Sequence, residues 1–300
     1  MKTKYLGEAA LMIACILWGI GAVALAAANR SLGPLSIQSI RCLLGGLFLL
    51  LTIRVLDRTG YSRKPVTKQE RRFLLISGVS CGILYFVYCF LQQFALIYTA
   101  AGKVSFLVCF DVALVPVIGT LLGRRISWRV WFCVLIALIG MCIMSVTSDL
   151  HIGKGELFAI ACSVVSALHI ILIGFVSPKV DSVRLSCIQF WVSFVCCGIF
   201  AIFRETIRIE NLMQVWLPLL YAGVFSSGIG FTLQVVGQSR TDASKAAVIM
   251  CLSAVFSTFF GWLLLRQMLS LRELAGCAIV MIGVILVQIN DYRDRQPEKQ

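Results

Sequence analysis

Asp111 is the one acidic side chain that falls well inside an unbroken apolar run, between Val104 and Gly119. A carboxylate at that depth in hydrocarbon costs a few kcal/mol, so it must pair, take up a proton or face water. A partnered structural residue is the bland account. Proton exchange is the chemistry it could perform, and intramembrane acids mark ion and substrate routes by default.

Lys103 and Lys245, 142 positions apart, each open an apolar run. An ammonium beside the free amides of a helix N-terminus could hold a carboxylate or phosphate. Their long stems would equally let both lysines snorkel to the interface, and the two readings weigh the same. Arg41 sits about two helical turns into another apolar run, and its expected role is structural. Gln92 and Gln234, again 142 apart, carry amides that need a partner inside an apolar helix. Trp18, Tyr85, Tyr88, Trp191 and Tyr221 offer aromatic surface with polar tips. Each alone reads as packing, and together they read as the lining of a central pocket. Pro116, five residues past Asp111, removes the hydrogen bond to the Val112 carbonyl and marks an expected hinge. His169 is a second-choice proton carrier.

Enzyme signatures are missing from the sequence. It holds no H-E-x-x-H, no Walker loop and no G-x-S-x-G elbow, and its only histidines are His151 and His169. The thirteen cysteines lie in apolar runs without a C-x-x-C pair, as small buried hydrophobes do. No enzyme activity, metal or cofactor is expected.

The elements that must position these groups are apolar helices. A mean hydropathy of +0.92, with 59% hydrophobic and 14% charged residues, lies outside the soluble globular range. Apolar runs bounded by charges, Pro and Gly predict an all-α integral membrane protein with ten transmembrane helices. They are placed at about 8–28, 34–54, 72–97, 100–123, 128–147, 155–176, 184–203, 215–237, 243–265 and 270–290. The first run follows Lys2 and Lys4 and ends in three alanines, like a signal peptide. It is longer than the usual h-region, and is read as a retained span.

With the N-terminus in the cytoplasm, the inside segments hold most of the basic residues, notably the group from Arg54 to Arg72 and the Arg124, Arg125, Arg129 cluster. The outside segments keep Arg30, Lys103, Lys154, Arg204, Arg208, Arg266 and Arg272. This asymmetry predicts a multi-pass protein of the cell membrane with both termini cytoplasmic. It also accounts for the net charge of +13 without a nucleic-acid partner. Trp128, Trp131 and Trp216 suit interfacial belts. Gly78/Gly82 and Gly119/Gly123 form two GxxxG pairs expected at close helix contacts.

The spacing repeats. Thr99/Thr241, Ala101/Ala243, Gly119/Gly261 and Arg124/Arg266 keep the 142-residue offset, which becomes 143 at Ser127/Ser270 and Gly140/Gly283. Asp111 aligns with Ser253. Five spans per half force the halves to cross in opposite directions, the inverted-repeat pattern. The expected divisions are residues 1–148, 149–291 and a tail over 292–300.

On Leu17-Trp-Gly19, Gly33-Pro-Leu35 with Arg41, Tyr98-Thr-Ala-Ala-Gly-Lys103, Val115-Pro116, Gly123-Arg-Arg-Ile-Ser-Trp128, Gly155-Glu156, Gln189-Phe-Trp191 and Thr241-Asp-Ala-Ser-Lys-Ala246, the chain resembles a known group. It is similar to the drug/metabolite transporter superfamily, specifically ten-helix permeases built from two EamA-type repeats, over residues 7–290. No single motif is specific, but their order and duplication are. The resemblance implies alternating access around a central pocket, with amino acids, other metabolites, sugars, nucleotide-sugars or drugs as substrates. Many relatives carry Glu-Pro and Gly-Glu in the ninth helix, where this chain has Ser253-Ala254 and Arg266-Gln267. A coupling scheme based on a ninth-helix carboxylate therefore does not transfer.

The expected function is gradient-driven export of amino acids or related polar compounds. Trp18, Tyr85, Tyr88, Gln92, Trp191, Tyr221, Gln234, Lys103 and Lys245 would bind substrate, Asp111 would exchange the proton, and Pro116 would be the hinge. One alternative is a carrier of organic acids or phosphorylated compounds read by the two lysines. Another, of a different class, is a membrane-embedded enzyme or lipid-handling protein. The expected partners are a small-molecule substrate and membrane lipids, with no nucleic acid, in a monomer or homodimer.

Overall fold

A computed structural model describes residues 2–29, 31–59, 64–98, 104, 107–145, 153–206, 208–266 and 270–293. Among these residues the chain is helical and contains no strand. This is the form an apolar chain takes in lipid, where backbone polar groups must be satisfied within the segment. The helices are α1 (Lys2–Ala28), α2 (Pro34–Thr59), α3 (Lys68–Tyr98), α4 (Asp111–Leu121), α5 (Trp128–Ser145), α6 (Lys154–Val176) and α7 (Ser182–Arg204). They continue with α8 (Ile209–Gln214), α9 (Trp216–Tyr221), a π-helical segment (Ala222–Phe231), α10 (Thr232–Gln238), α11 (Ala243–Met250), α12 (Leu252–Leu265) and α13 (Leu271–Arg293).

Among the described residues eight apolar stretches are long enough to cross a bilayer. Two shorter apolar helices, α4 and α5, bring the spans to ten. The eighth span is α9, the π-helical segment and α10 in series, and the ninth is α11 followed by α12.

Local chemistry sets the ends. Pro34 opens α2, where its missing N–H is no loss. Asp181 caps α7 by accepting from the Arg184 amide at 2.9 Å, and Asp242 caps α11 by accepting from the Ser244 amide at 2.9 Å. Gly123, at φ +80°, ends the fourth span in a left-handed turn.

The main helix pairings join the two halves. α2 packs on α7, α5 on α13, α3 on α6 and α7, and α1 on the eighth and ninth spans. With α2 also on the eighth span and α4 on α6, exchanging each span for its counterpart five places along maps the pairing pattern onto itself. The direction of α2 and α7 follows from their ends. Leu35 and Ser36, opening α2, donate backbone N–H groups at 2.9 and 2.8 Å to the carboxylate of Glu205, just past the end of α7. At the other end, Arg184 in the first turn of α7 donates to Asp57 in the last turns of α2 at 2.5 Å. These counterpart helices therefore run antiparallel, as an inverted repeat requires.

Gly78 and Gly82 let α3 approach Ile188 and Val192 of α7, as expected of a GxxxG pair. The second pair differs: Gly119 faces Ile126 and Gly123 lies in the turn, so neither joins two spans. A tight turn after the helix, which the motif spacing alone does not reveal, takes up that glycine.

Candidate functional site

The spans that were expected to be continuous are broken where they meet. In the fourth, amides of Phe110, Val112 and Ala113 bond three residues back, to Leu107, Cys109 and Phe110, before α4 settles into regular geometry. In the ninth, Cys251 and Ala254 do the same, to Val248 and Cys251, between α11 and α12. Cys109 and Cys251 are counterparts at the 142-residue offset, as are Val112 and Ala254. The two halves thus break the same helix at the same place. Irregular backbone at membrane depth is tolerated where it lines a cavity, and paired discontinuous helices mark transporter binding sites.

Such a cavity is present, of about 330 Å³. Cys109 and Asp111 from one break and Cys251 and Ser253 from the other line it. Trp18, Tyr85, Tyr88, Gln92 and Gln234 line it as well. Six of the residues expected from the sequence therefore converge: these five and Asp111. Gln92 and Gln234 come to one space from opposite halves.

Asp111 is held by Ser166 of α6, whose hydroxyl donates to Oδ2 at 2.6 Å. Tyr88 lies beside it in the wall and accepts from Gln92 Nε2 at 3.2 Å. Tyr85 is fully buried, stacks against Tyr88 at 6.3 Å and meets Phe231 edge-on at 4.8 Å. Trp18 packs 4.9 Å from the same Phe231, and its Nε1 donates to the Ser226 carbonyl at 3.1 Å. That carbonyl lies in the π-helical segment, a distortion that often accompanies functional sites. His169 faces the cavity too and shares a 2.8 Å hydrogen bond with Gln189.

Other expected residues lie elsewhere. Trp191 does not line the cavity: it packs edge-on against Phe194 at 5.7 Å, in the cluster behind Tyr85. Tyr221 stacks on Phe225 at 5.3 Å and donates to the Leu17 carbonyl at 3.4 Å, also away from the cavity. Lys245 is absent from the lining and lies within electrostatic reach of Glu8 on α1. Lys103 falls outside the described residues. Pro116 is buried in α4, and its carbonyl accepts from the Thr120 hydroxyl at 2.8 Å.

Arg41, expected to be structural, does join two helices, since from α2 it donates to the Tyr85 hydroxyl of α3, and it is also one of the residues lining the cavity. Sequence reasoning also passed over Gln38, Ser166, Ser226 and Ser257. Their signal was available, since each is a polar residue inside an apolar span. Serine is common in such spans, however, and only the fold says which ones share a cavity. Among the described residues no cluster of His, Cys, Asp and Glu is arranged to hold a metal ion.

The EamA-like transporter family matches this chain twice, over residues 5–146 and again over 153–289. An uncharacterized transporter of Archaeoglobus fulgidus is 26% identical over 93% of this chain and 84% of its own. The uncharacterized transporter YvbV of Bacillus subtilis is 28% identical over 96% and 93%. A WAT1-related chloroplastic protein of Arabidopsis thaliana is 22% identical over 92% and 68%. A solved crystal structure superposes with a TM-score of 0.77 at 16% identity, covering 98% of this chain and 99% of the other, a likeness of fold. With its ten apolar spans and a family match to each half, the chain belongs to the EamA-like transporter family, and it is a multi-pass membrane transporter of the drug/metabolite transporter superfamily.

Proposed function

We propose that this transporter is a secondary active permease of the cell membrane, with both termini cytoplasmic, that exports amino acids or related small polar compounds by alternating access. One observation carries the reading: two equivalent broken helices bring Asp111 and Ser253 to one cavity of about 330 Å³, a volume suited to a small metabolite. Substrate binds against Trp18, Tyr85, Tyr88, Gln92 and Gln234. The two halves rock about it, with the paired breaks in the fourth and ninth spans as the flexible points and Pro116 as a hinge beside one of them.

Asp111 is the coupling group in this scheme. Among the described residues it is the only acidic one lining the cavity, and its Ser166 hydroxyl can serve it in either protonation state, donating to the carboxylate or accepting from the acid. A proton entering Asp111 from one side as substrate leaves on the other gives exchange without a nucleotide.

Uptake of a labelled amino-acid and metabolite panel into proteoliposomes of the full chain, with and without a pH gradient, tests this. Accumulation that requires the gradient supports it. Exchange indifferent to pH would remove the proton, and transport of nothing in the panel beyond empty vesicles would remove the substrate class.

A further inference from the structure

We infer that Arg41 is an anion-binding residue of the substrate cavity, so that the transported compound carries a carboxylate or an equally compact anionic group. The inference rests on the cavity being the substrate site, and it names the charge that the site selects.

Arg41 is 8% exposed and is one of the residues lining the cavity. A guanidinium cannot shed its proton at ordinary pH and presents five donors. Among the described residues its hydrogen-bond partner is the neutral phenol of Tyr85, and its Nε is buried without an acceptor. No carboxylate of the described residues lies within ion-pair distance. The titratable groups beside it, Tyr85, Tyr88, Cys89 and Cys42, are phenols and thiols, ordinarily neutral at pH 7.

A buried arginine with so little compensation costs several kcal/mol, and burial of this kind is normally met by a paired anion. Here Asp111, the one cavity acid among the described residues, is engaged with Ser166 instead. The uncompensated charge therefore opens onto space, and that space is the substrate cavity. Surrounding donors suit an anion. Gln38 lines the cavity three residues before Arg41 on the same helix, and its Nε2, which donates one hydrogen to Cys42 Sγ at 3.5 Å, has a second for an anion. Tyr85 takes a donor of one terminal nitrogen, so the guanidinium keeps donors for an anionic partner, the kind of group arginine binds best.

The test uses purified full-length protein and matched probe pairs: the common amino acids and their carboxamides, which keep the side chain and amine but lose the anion. Thermal unfolding with each probe at millimolar concentration reads binding, because a ligand of the folded state raises Tm. At least one carboxylate-bearing probe should raise Tm while its amide does not. Arg41→Gln should weaken that binding roughly tenfold to a hundredfold, the scale of a charge-assisted hydrogen bond. Arg41→Lys, which keeps the charge without the fork, should fall between.

If Arg41→Gln does not fold, the acid/amide comparison on the unmodified chain still decides. Equal stabilisation by acid and amide, stabilisation by amides alone, or none by any carboxylate probe would overturn the inference. Gradient-driven transport of a compound without an anionic group, undiminished in Arg41→Gln, would also overturn it while leaving the permease reading intact. Carboxylate-selective binding without gradient-driven transport would do the reverse.

Discussion

Gly140 and Gly283 sit at equivalent places in the two halves, and each lies against the other's helix. A Cβ on Gly140 would come within 2.8 Å of the Val280 nitrogen and 2.9 Å of the Gly276 carbonyl oxygen. A Cβ on Gly283 would lie 3.3 Å from the Ala137 nitrogen and from the Cys133 carbonyl oxygen. Residues 276, 280 and 283 exceed 133, 137 and 140 by the same 143, so the contact between α5 and α13 is reciprocal. Backbones this close leave no room for a side chain, which is how small residues hold membrane helices together.

Gly140→Leu should therefore separate α5 from α13 and destabilise the fold by about 1–3 kcal/mol, the usual cost of overpacking. Gly283→Leu should cost somewhat less, since its neighbours stand farther off. Unfolding in detergent, followed by temperature-dependent loss of the monodisperse peak, measures both.

The two ends of the α2–α7 pair are fastened by different chemistry, and both should be measurable. Glu205→Ala removes the acceptor of the Leu35 and Ser36 amides and of the Ser36 hydroxyl. A loss of about 1–2 kcal/mol is expected, as for a helix cap. Asp57→Asn and Arg184→Gln should be non-additive when combined, with a coupling of about 1 kcal/mol, since both side chains remain partly exposed to solvent.

Removing the charge of Asp111 should separate coupling from binding. Asp111→Asn keeps a group that Ser166 can hydrogen-bond, so the fold should survive. Gradient-driven accumulation should fall at least about tenfold, since the amide cannot carry the proton. Substrate counterflow at fixed pH should persist, and its dependence on pH should flatten. Unchanged accumulation in the variant would remove Asp111 from the coupling scheme.

Position relative to the cavity separates residues that look alike in sequence. Trp18→Phe, Gln92→Ala and Gln234→Ala alter the lining and should each weaken substrate binding about threefold to tenfold, the scale of one neutral hydrogen bond. Trp191→Phe and Tyr221→Phe lie off the lining and should leave binding unchanged, with any effect confined to stability. Substrate-dependent Tm shifts across the five variants check the pattern.

Several features of this protein were legible in the sequence because they follow from one-dimensional constraints. Bilayer thickness fixes the length of an apolar run, so the ten spans could be counted before any packing was known. The 142-residue offset related Gln92 to Gln234 and Asp111 to Ser253, and five spans per half required inversion. The cost of an acid in lipid singled out Asp111.

Tertiary structure decided what depends on helix rotation and on local breaks. Apolar spans in lipid carry little amphipathic signal, so nothing in their periodicity told the cavity face of Trp18 from the packed faces of Trp191 and Tyr221. The turns at Cys109 and Cys251 carry no glycine or proline of their own, and their helical propensity is ordinary. They lie where the fourth and ninth spans meet at the cavity. Arg41 shows the difference most plainly. Its depth was readable, but whether its charge met a carboxylate or opened onto a cavity depended on spans far away in the chain.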